Sequence, residues 1–319
     1  MPYDSITAAR RQDLRVLVGL AAGIILFPAV VLHIAPLRHY VDIMVFVGIF
    51  SLVTLGLTLL MGYAGQVSLG QAAFFGLGAY VSAILTGRFG WPAWPAVLAG
   101  MTLTGLVAFL VGVPSLKLKG HYLAMATLGF GVIVYVVFNE EVSLTGGPSG
   151  MADIPGIAVG PWQMDTPLKY YYFVWFFVLV ALAFSLNIIH SRVGRALRSI
   201  HGSEVAANAM GVPTASYKTR IFVVSAVYAS MAGSLYTHYM TFLSPSSFDL
   251  FWSIKFLMMV VVGGMTSIWG ALLGTCLLTY LSNEWLHMFH DFDVLVYGFI
   301  LLLIIMFLPK GLIGVVRRT

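Results

Sequence analysis

Few side chains in this sequence could do chemistry, and their spacing decides which chemistry is open to them. His287 and His290, three residues apart with Asp291 and Asp293 beside them, have the spacing with which two imidazoles grip a metal from one helical face. The segment reads as an external turn without a third ligand placed in it, so a solvated turn is the reading and no metal is assigned. The remaining histidines, His33, His39, His121, His190, His201 and His238, are dispersed, and no nucleophile stands beside a base, so no catalytic residue is assigned. The lone Cys276 excludes an internal disulfide or a cysteine metal cluster and packs as a small apolar side chain. No Gly-x-x-x-x-Gly-Lys-Ser/Thr loop occurs, so the chain does not hold ATP in the P-loop manner. What remains is amide and hydroxyl chemistry inside apolar surroundings (Gln66, Ser68, Gln71) and a carboxylate, Glu204, opening a short alanine-rich stretch.

The elements that must position these residues follow from composition. Of 319 residues, 60% are hydrophobic and 9% charged, against about 25% charged in a soluble domain. One soluble core could not hide that much apolar surface, so a soluble enzyme is excluded. Continuous apolar runs of about 20 residues match a hydrocarbon layer of about 30 Å, and their lack of alternation favours helices over a barrel. The expected fold class is an all-α polytopic membrane protein with about ten transmembrane helices, some interrupted by glycine. The crossings fall at about 16–35, 42–61, 66–86, 95–113, 122–138, 170–190, 219–239, 247–262, 267–286 and 294–308. The first run follows Arg10, Arg11 and Arg15 but is too long, and lacks the cleavage pattern, for a signal peptide, so it reads as a retained span.

Charge sets the orientation, because Lys and Arg collect in short cytoplasmic loops. Ten spans with both termini inside put Arg10, Arg11, Arg15, Lys117, Lys119, Arg192, Arg195, Arg198, Lys218, Arg220, Lys310, Arg317 and Arg318 on the inner face, 13 of the 17 cations. Nine spans would move the terminal cluster outside, so the forty residues Ser247–Leu286 are read as two spans broken at Gly263-Gly264. Orientation thus accounts for the net charge of +5 without any nucleic-acid partner. The chain, 1–319, reads as a single transmembrane domain with a compact external loop at about 139–169, rich in Gly and Pro turns, and a cytoplasmic loop at about 191–218.

The third run is unlike a plain lipid-facing helix. Ser68, Ala72, Gly76, Ala79 and Ala83 share one helical face on which another backbone can approach closely. Gln66 and Gln71 are costly in lipid unless they find partners or line a wet cavity. Two readings stay open: helix packing with satisfied glutamines, or a broken helix beside a translocation path, where non-helical backbone is tolerated at membrane depth. Gly62, Gly65 and Gly70 favour the second. Gly263, Gly264, Ser267, Gly270 and Gly274 form a weaker counterpart later in the chain, hinting at the internal repeat common in transporters.

In the inner loop, Ser203 caps a helix start, Glu204 suits the positive dipole end, Gly211 suits a left-handed stop and Pro213 prevents continuation. A helix of about two turns is marginal alone, so something must hold it. It either lies on the membrane or seats in a groove of a cytoplasmic motor. In the second case Ala206, Ala207 and Ala209 permit close approach and Glu204 offers a carboxylate to a basic partner.

Four stretches carry a family resemblance: Gly62 to Tyr80, Arg195 to Val212, Val262 to Gly274, and Pro309-Lys-Gly-Leu. Together they resemble the permease subunits of branched-chain amino-acid ABC importers of the LivM type. That resemblance implies a multi-pass protein of the bacterial cytoplasmic (inner) membrane. It implies pairing with a second, LivH-type permease above two cytoplasmic ATPase subunits, with a periplasmic substrate-binding protein delivering substrate. The resemblance further implies no cofactor in this chain, with ATP and Mg²⁺ bound by the partner ATPases. It matches the ATPase-coupling residues to Ser203, Glu204, Ala206, Ala207 and Gly211, and the early glycine-rich span to Gly62, Gly65, Gln66, Ser68, Gly70 and Gln71. His201-Gly202 departs from the family pattern. Asp42, Lys255 and Glu284 lie near span ends, where Lys255 would snorkel outward, and Asn139 and His238 near outer ends would cap helices. This scarcity of charge argues against an ion-coupled secondary transporter. Branched-chain or other hydrophobic amino acids come first as substrate; urea, short amides and aromatic acids are carried by related permeases.

Overall fold

A computed structural model describes residues 3–32, 39–116, 118, 120–159, 162–284, 298–299, 302–303, 306–307 and 311–316. Its long helices are α1 (Tyr3–Leu32), α2 (His39–Thr58), α3 (Gln71–Gly87), α4 (Ala93–Ser115) and α5 (His121–Glu140). After the short α6 (Val142–Thr145) come α7 (Pro167–His190), α8 (Arg192–Gly202), α9 (Glu204–Ala209), α10 (Thr214–Met240), α11 (Leu250–Gly263) and α12 (Ile268–Glu284). Among the described residues, six stretches are long and apolar enough to cross a membrane: Gln12–Ala29, His39–Tyr63, Ala93–Ser115, His121–Glu140, Pro167–His190 and Thr214–Met240. The protein is therefore a helical, multi-pass membrane protein. Helices satisfy their own backbone groups, the only open-chain solution available in lipid. The helices α3, α11 and α12 are shorter, and each adjoins one of the glycine-rich breaks expected from the sequence. The expected tenth span, 294–308, and Arg38, Lys117, Lys119, Lys310, Arg317 and Arg318 lie wholly or largely outside the described residues.

The centre of the bundle is α2, α3 and α10. The helix α2 is apolar all round and buried from Val45 to Thr58 save one half-buried position, the pattern of an element with neighbours on every side. The crossing of α3 and α10 is the closest approach between these helices. A β-carbon on Gly78 would overlap the Ser230 carbonyl, and one on Gly233 would overlap that of Phe75. Ser234 Oγ fills the remaining space, donating to the Gly78 carbonyl at 3.0 Å. Ala72, Ala79 and Ala83 are buried on the small-residue face of α3, and Gly76 lies against Phe138 and Phe248. Phe50, Phe75, Phe256 and Phe248 interlock with mostly edge-on or tilted rings. At the periphery α4 and α5 present Leu103, Phe109, Ile133 and Val137 outward, as helices facing lipid do.

The described residues between α5 and α7 fold into a compact loop. Thr145 Oγ1 donates back to the Phe138 carbonyl at 2.7 Å, and Met151 pairs in both directions with Leu243 after α10. Ile154 and Ile157 are buried beneath it. This loop holds one departure from the all-helical expectation: Ala158–Val159 and Trp162–Gln163 pair as a minimal antiparallel hairpin. Pro155 and Gly156 disfavour a helix there, and the two-residue strands satisfy the backbone locally.

Candidate functional site

Two interrupted helices meet in this structure. The helix α2 widens into a π-helical turn, Leu59–Tyr63, and then leaves helical geometry from Ala64 to Gly70. Gly65 takes φ +67°, a region costly for any residue with a β-carbon. The freed donors find side chains: Leu69 N donates to Thr127 Oγ1 at 3.0 Å, and Gly70 N to Ser68 Oγ at 3.4 Å. Thr127 lies six residues into α5, about 9 Å along it, so the non-helical backbone sits inside the bundle. The helix α3 begins only at Gln71, five residues later than the apolar run implies, because Gly65 and these side-chain bonds hold the preceding segment out of helical geometry. Ser68, assigned to the helical face, is a loop residue for the same reason. Gln71 is fully buried; its Nε2 donates to Ser225 Oγ at 3.1 Å while its Oε1 has no partner among the described residues. Gln66 Nε2 bonds locally to the Ala64 carbonyl.

The second interruption lies where the glycine pair implied. The helix α11 ends at Gly263, Gly264 takes φ +117°, and Ser267 Oγ receives Gly270 N at 3.4 Å as α12 begins. Gly263, Gly270 and Gly274 let the two arms close on each other backbone to backbone. The turn at 264–267 presses on the end of α2, since a β-carbon on Gly62 would collide with the Met265 carbonyl. Thus Gly62 stands with Gly263, Gly264 and Ser267 on one side. On the other, Gly70 lies against Thr127 of α5, Gln71 bonds Ser225 of α10, and Ala72 N donates to Ser253 Oγ of α11 at 3.0 Å, with Ser68 buried beside them. Gly65 lies beside His201 of α8, and Gly65, Val67, Met265 and Thr266 are exposed.

The short-helix segment follows the sequence signals closely. Ser203 Oγ accepts from Ala206 N at 3.2 Å, α9 runs six residues, and Gly211 takes φ +81°. It is preceded by the amphipathic α8, which buries Gly194, Leu197 and Ile200 and exposes Arg192, Arg195 and Arg198. Within α9, Ala206 and Ala209 are exposed but Ala207 is buried, pointing into the bundle. The outward face carries Val205 and Met210, 72% and 84% exposed, an apolar pair that the alanines obscured in the sequence.

Glu204 already has a partner within the chain. Lys218 Nζ, on a side chain 1% exposed, lies 3.1 and 3.2 Å from its two carboxylate oxygens and donates to the Leu116 carbonyl at 3.0 Å. One ammonium therefore ties the end of α4, the start of α9 and the first turns of α10 together. Lys218 reads in the sequence as one more inner-loop cation, and fourteen residues of separation hide the pairing.

Other titratable groups join helices. Lys255 is 9% exposed, bonded to Ser282 Oγ at 3.0 Å and 4.7 Å from the centre of the Trp252 ring, so it packs inward instead of snorkelling. His238 does not cap α10: Nδ1 donates to the Pro155 carbonyl at 2.7 Å and Nε2 meets Ser82 Oγ at 2.8 Å. Tyr239 donates to Asp42, His39 meets Glu284 at 2.6 Å, and Asp13 joins His190 to Trp269. His287, His290, Asp291 and Asp293 lie outside the described residues.

Relatives fit this arrangement. Residues 39–307 match the family described as "Branched-chain amino acid transport system / permease component". The LivM permease protein of the high-affinity branched-chain amino acid transport system of Escherichia coli K12 is 31% identical over 303 residues, spanning 88% of this chain and 71% of that protein. The LivH permease protein of Salmonella typhimurium is 24% identical over 293 residues, 83% of this chain and 91% of LivH. A probable LivM of Methanocaldococcus jannaschii is 22% identical over 327 residues. No solved structure matches significantly. Family match and identity both extend over most of the helical bundle, so the chain belongs to the permease-component family of branched-chain amino acid transport systems.

Proposed function

We propose that this chain is one of two permease subunits of an ATP-driven importer of branched-chain and other hydrophobic amino acids in the bacterial inner membrane. In this reading the chain is a single ten-span domain with both termini cytoplasmic. Residues 191–218 face two ATPase subunits, residues 139–169 face a periplasmic binding protein, and a LivH-type permease completes the pore. ATP and Mg²⁺ belong to the ATPases; this subunit is not an enzyme. The observation that carries the reading is the convergence of both glycine breaks at Gly62 and Met265, with a buried amide, Gln71, beside one of them.

The mechanism proposed is alternating access driven from α9. Closure of the ATPases pushes the Val205–Met210 face, and the Glu204–Lys218–Leu116 junction passes the displacement to α10 and α4. Since α10 meets α3 backbone to backbone at Gly78 and Gly233, the broken start of α3 moves with it, and the path opens on one side only. A cavity with few fixed charges suits a zwitterion with an apolar side chain that a binding protein has already selected. Purification from native membranes tests the assignment. A complex of this chain with a second permease and two ATPases is expected; a transport-competent chain that purifies alone overturns it.

A further inference from the structure

We propose that the groove between α4 and α10 is a binding site for an anionic phospholipid of the cytoplasmic leaflet, with Arg220 taking the headgroup phosphate. The leaflet assignment rests on the orientation in the proposed function; the site itself rests on the groove. Its volume is about 770 Å³, within the range of about 300–1,000 Å³ that holds small organic ligands. Its polarity is graded along the helices. Ser216 and Arg220 stand nearer the start of α10, whereas Val223 and Val224, with Phe109 and Val113 of α4, form the deeper walls. The span from Ser216 to Val224 is about 12 Å. Long helical side chains lean toward the helix N-terminus, which carries the Arg220 guanidinium back toward the polar end. A phospholipid has this same order of phosphate and then hydrocarbon.

Charge selects an anion. Arg220 is exposed and forms no ion pair or hydrogen bond with any described residue. Ser216 adds a hydroxyl, while the Thr219 hydroxyl is already donated to the Ala215 carbonyl at 2.9 Å. The groove's carboxylate, Glu204, would repel a phosphate, but Lys218 holds it at 3.1 and 3.2 Å. The apolar walls continue into the exposed Leu106 and Leu110 of α4, so the groove opens sideways where acyl chains are the surrounding solvent. Basic pockets between spanning helices on the cytoplasmic side bind anionic headgroups in this way. Because Glu204 and Leu116 line the groove and both accept from Lys218, a bound lipid would rest against the junction between α9 and the bundle.

The test uses the complete importer, reconstituted in phosphatidylcholine vesicles with and without phosphatidylglycerol, and counts retained lipids by native mass spectrometry. The wild type is expected to retain phosphatidylglycerol in preference to phosphatidylcholine. Arg220→Gln, a surface change, should weaken that retention about fivefold, and Val113→Trp should block it by filling the groove. Equal phosphatidylglycerol retention in wild type and Arg220→Gln overturns the proposal. So does a Val113→Trp variant that loses the second permease while keeping its lipid, since the groove then belongs to that partner. Lipid counts are read apart from amino-acid uptake, so a complex that binds phosphatidylglycerol without transporting sinks only the proposed function.

Discussion

The backbone carbonyl of Met265 occupies the space that a β-carbon on Gly62 would need. Two breaks separated by some two hundred residues thereby become one structural feature, a contact between the π-helical turn that follows α2 and the turn joining α11 to α12. Only glycine permits it, and backbone atoms cannot step aside as a flexible side chain can.

Gly62→Ala should therefore lower stability by about 1–3 kcal/mol, the usual cost of overpacking, and reduce uptake. Gly129→Ala, where nothing lies within 4 Å of the new methyl group, serves as the control and should match the wild type. Thermal unfolding in detergent and vesicle uptake measure the two effects. Equal behaviour of both variants would remove the contact from the account.

The Lys218 junction predicts an asymmetry. Glu204→Gln leaves a buried ammonium with only neutral acceptors, the Leu116 carbonyl and the new amide oxygen, and should destabilise, by less than the roughly 3–5 kcal/mol of a fully buried pair because Glu204 is 29% exposed. Lys218→Met combined with Glu204→Gln removes both charges and should recover most of that stability. It should still lower the amount of substrate moved per ATP hydrolysed, since the tie between α9 and α10 is gone. A double variant with wild-type stoichiometry of transport would show that the junction only holds the fold.

On α9 the exposed and buried faces should separate cleanly. Val205→Asp and Met210→Asp alter side chains that are 72% and 84% exposed, so stability should change by no more than about 0.5 kcal/mol while association with the ATPases is lost. Ala207→Asp buries a carboxylate and should impair folding itself. Co-purification of the ATPases, set beside a melting curve, distinguishes the three variants. Val205→Asp retaining its ATPases would contradict the docking face.

Much of this architecture is legible in the sequence because lipid imposes strict lengths. Continuous apolar runs mark the helices, and the Gly263-Gly264 pair and Gly65 mark the breaks, where the backbone must turn without a β-carbon. The start of α3 at Gln71 is less visible, since Val67 to Gly70 reads as apolar and small while Thr127, on a distant helix, accepts the hydrogen bond that keeps it non-helical. Lys255 reads as a residue that reaches out to water, yet Trp252 and Ser282 hold it inside. Lys218 and Glu204 are the sharpest case: each has a sensible local reading, and their meeting depends on how α4, α9 and α10 pack, which no local pattern encodes.

The proposed function is ATP-driven import through a path that this chain helps to form. Leucine uptake into vesicles containing both permeases and the ATPases, with ATP inside and the binding protein outside, tests it most directly. Uptake should require ATP hydrolysis and persist when a protonophore abolishes the proton gradient. Uptake that proceeds without the ATPases and collapses with the proton gradient would contradict it.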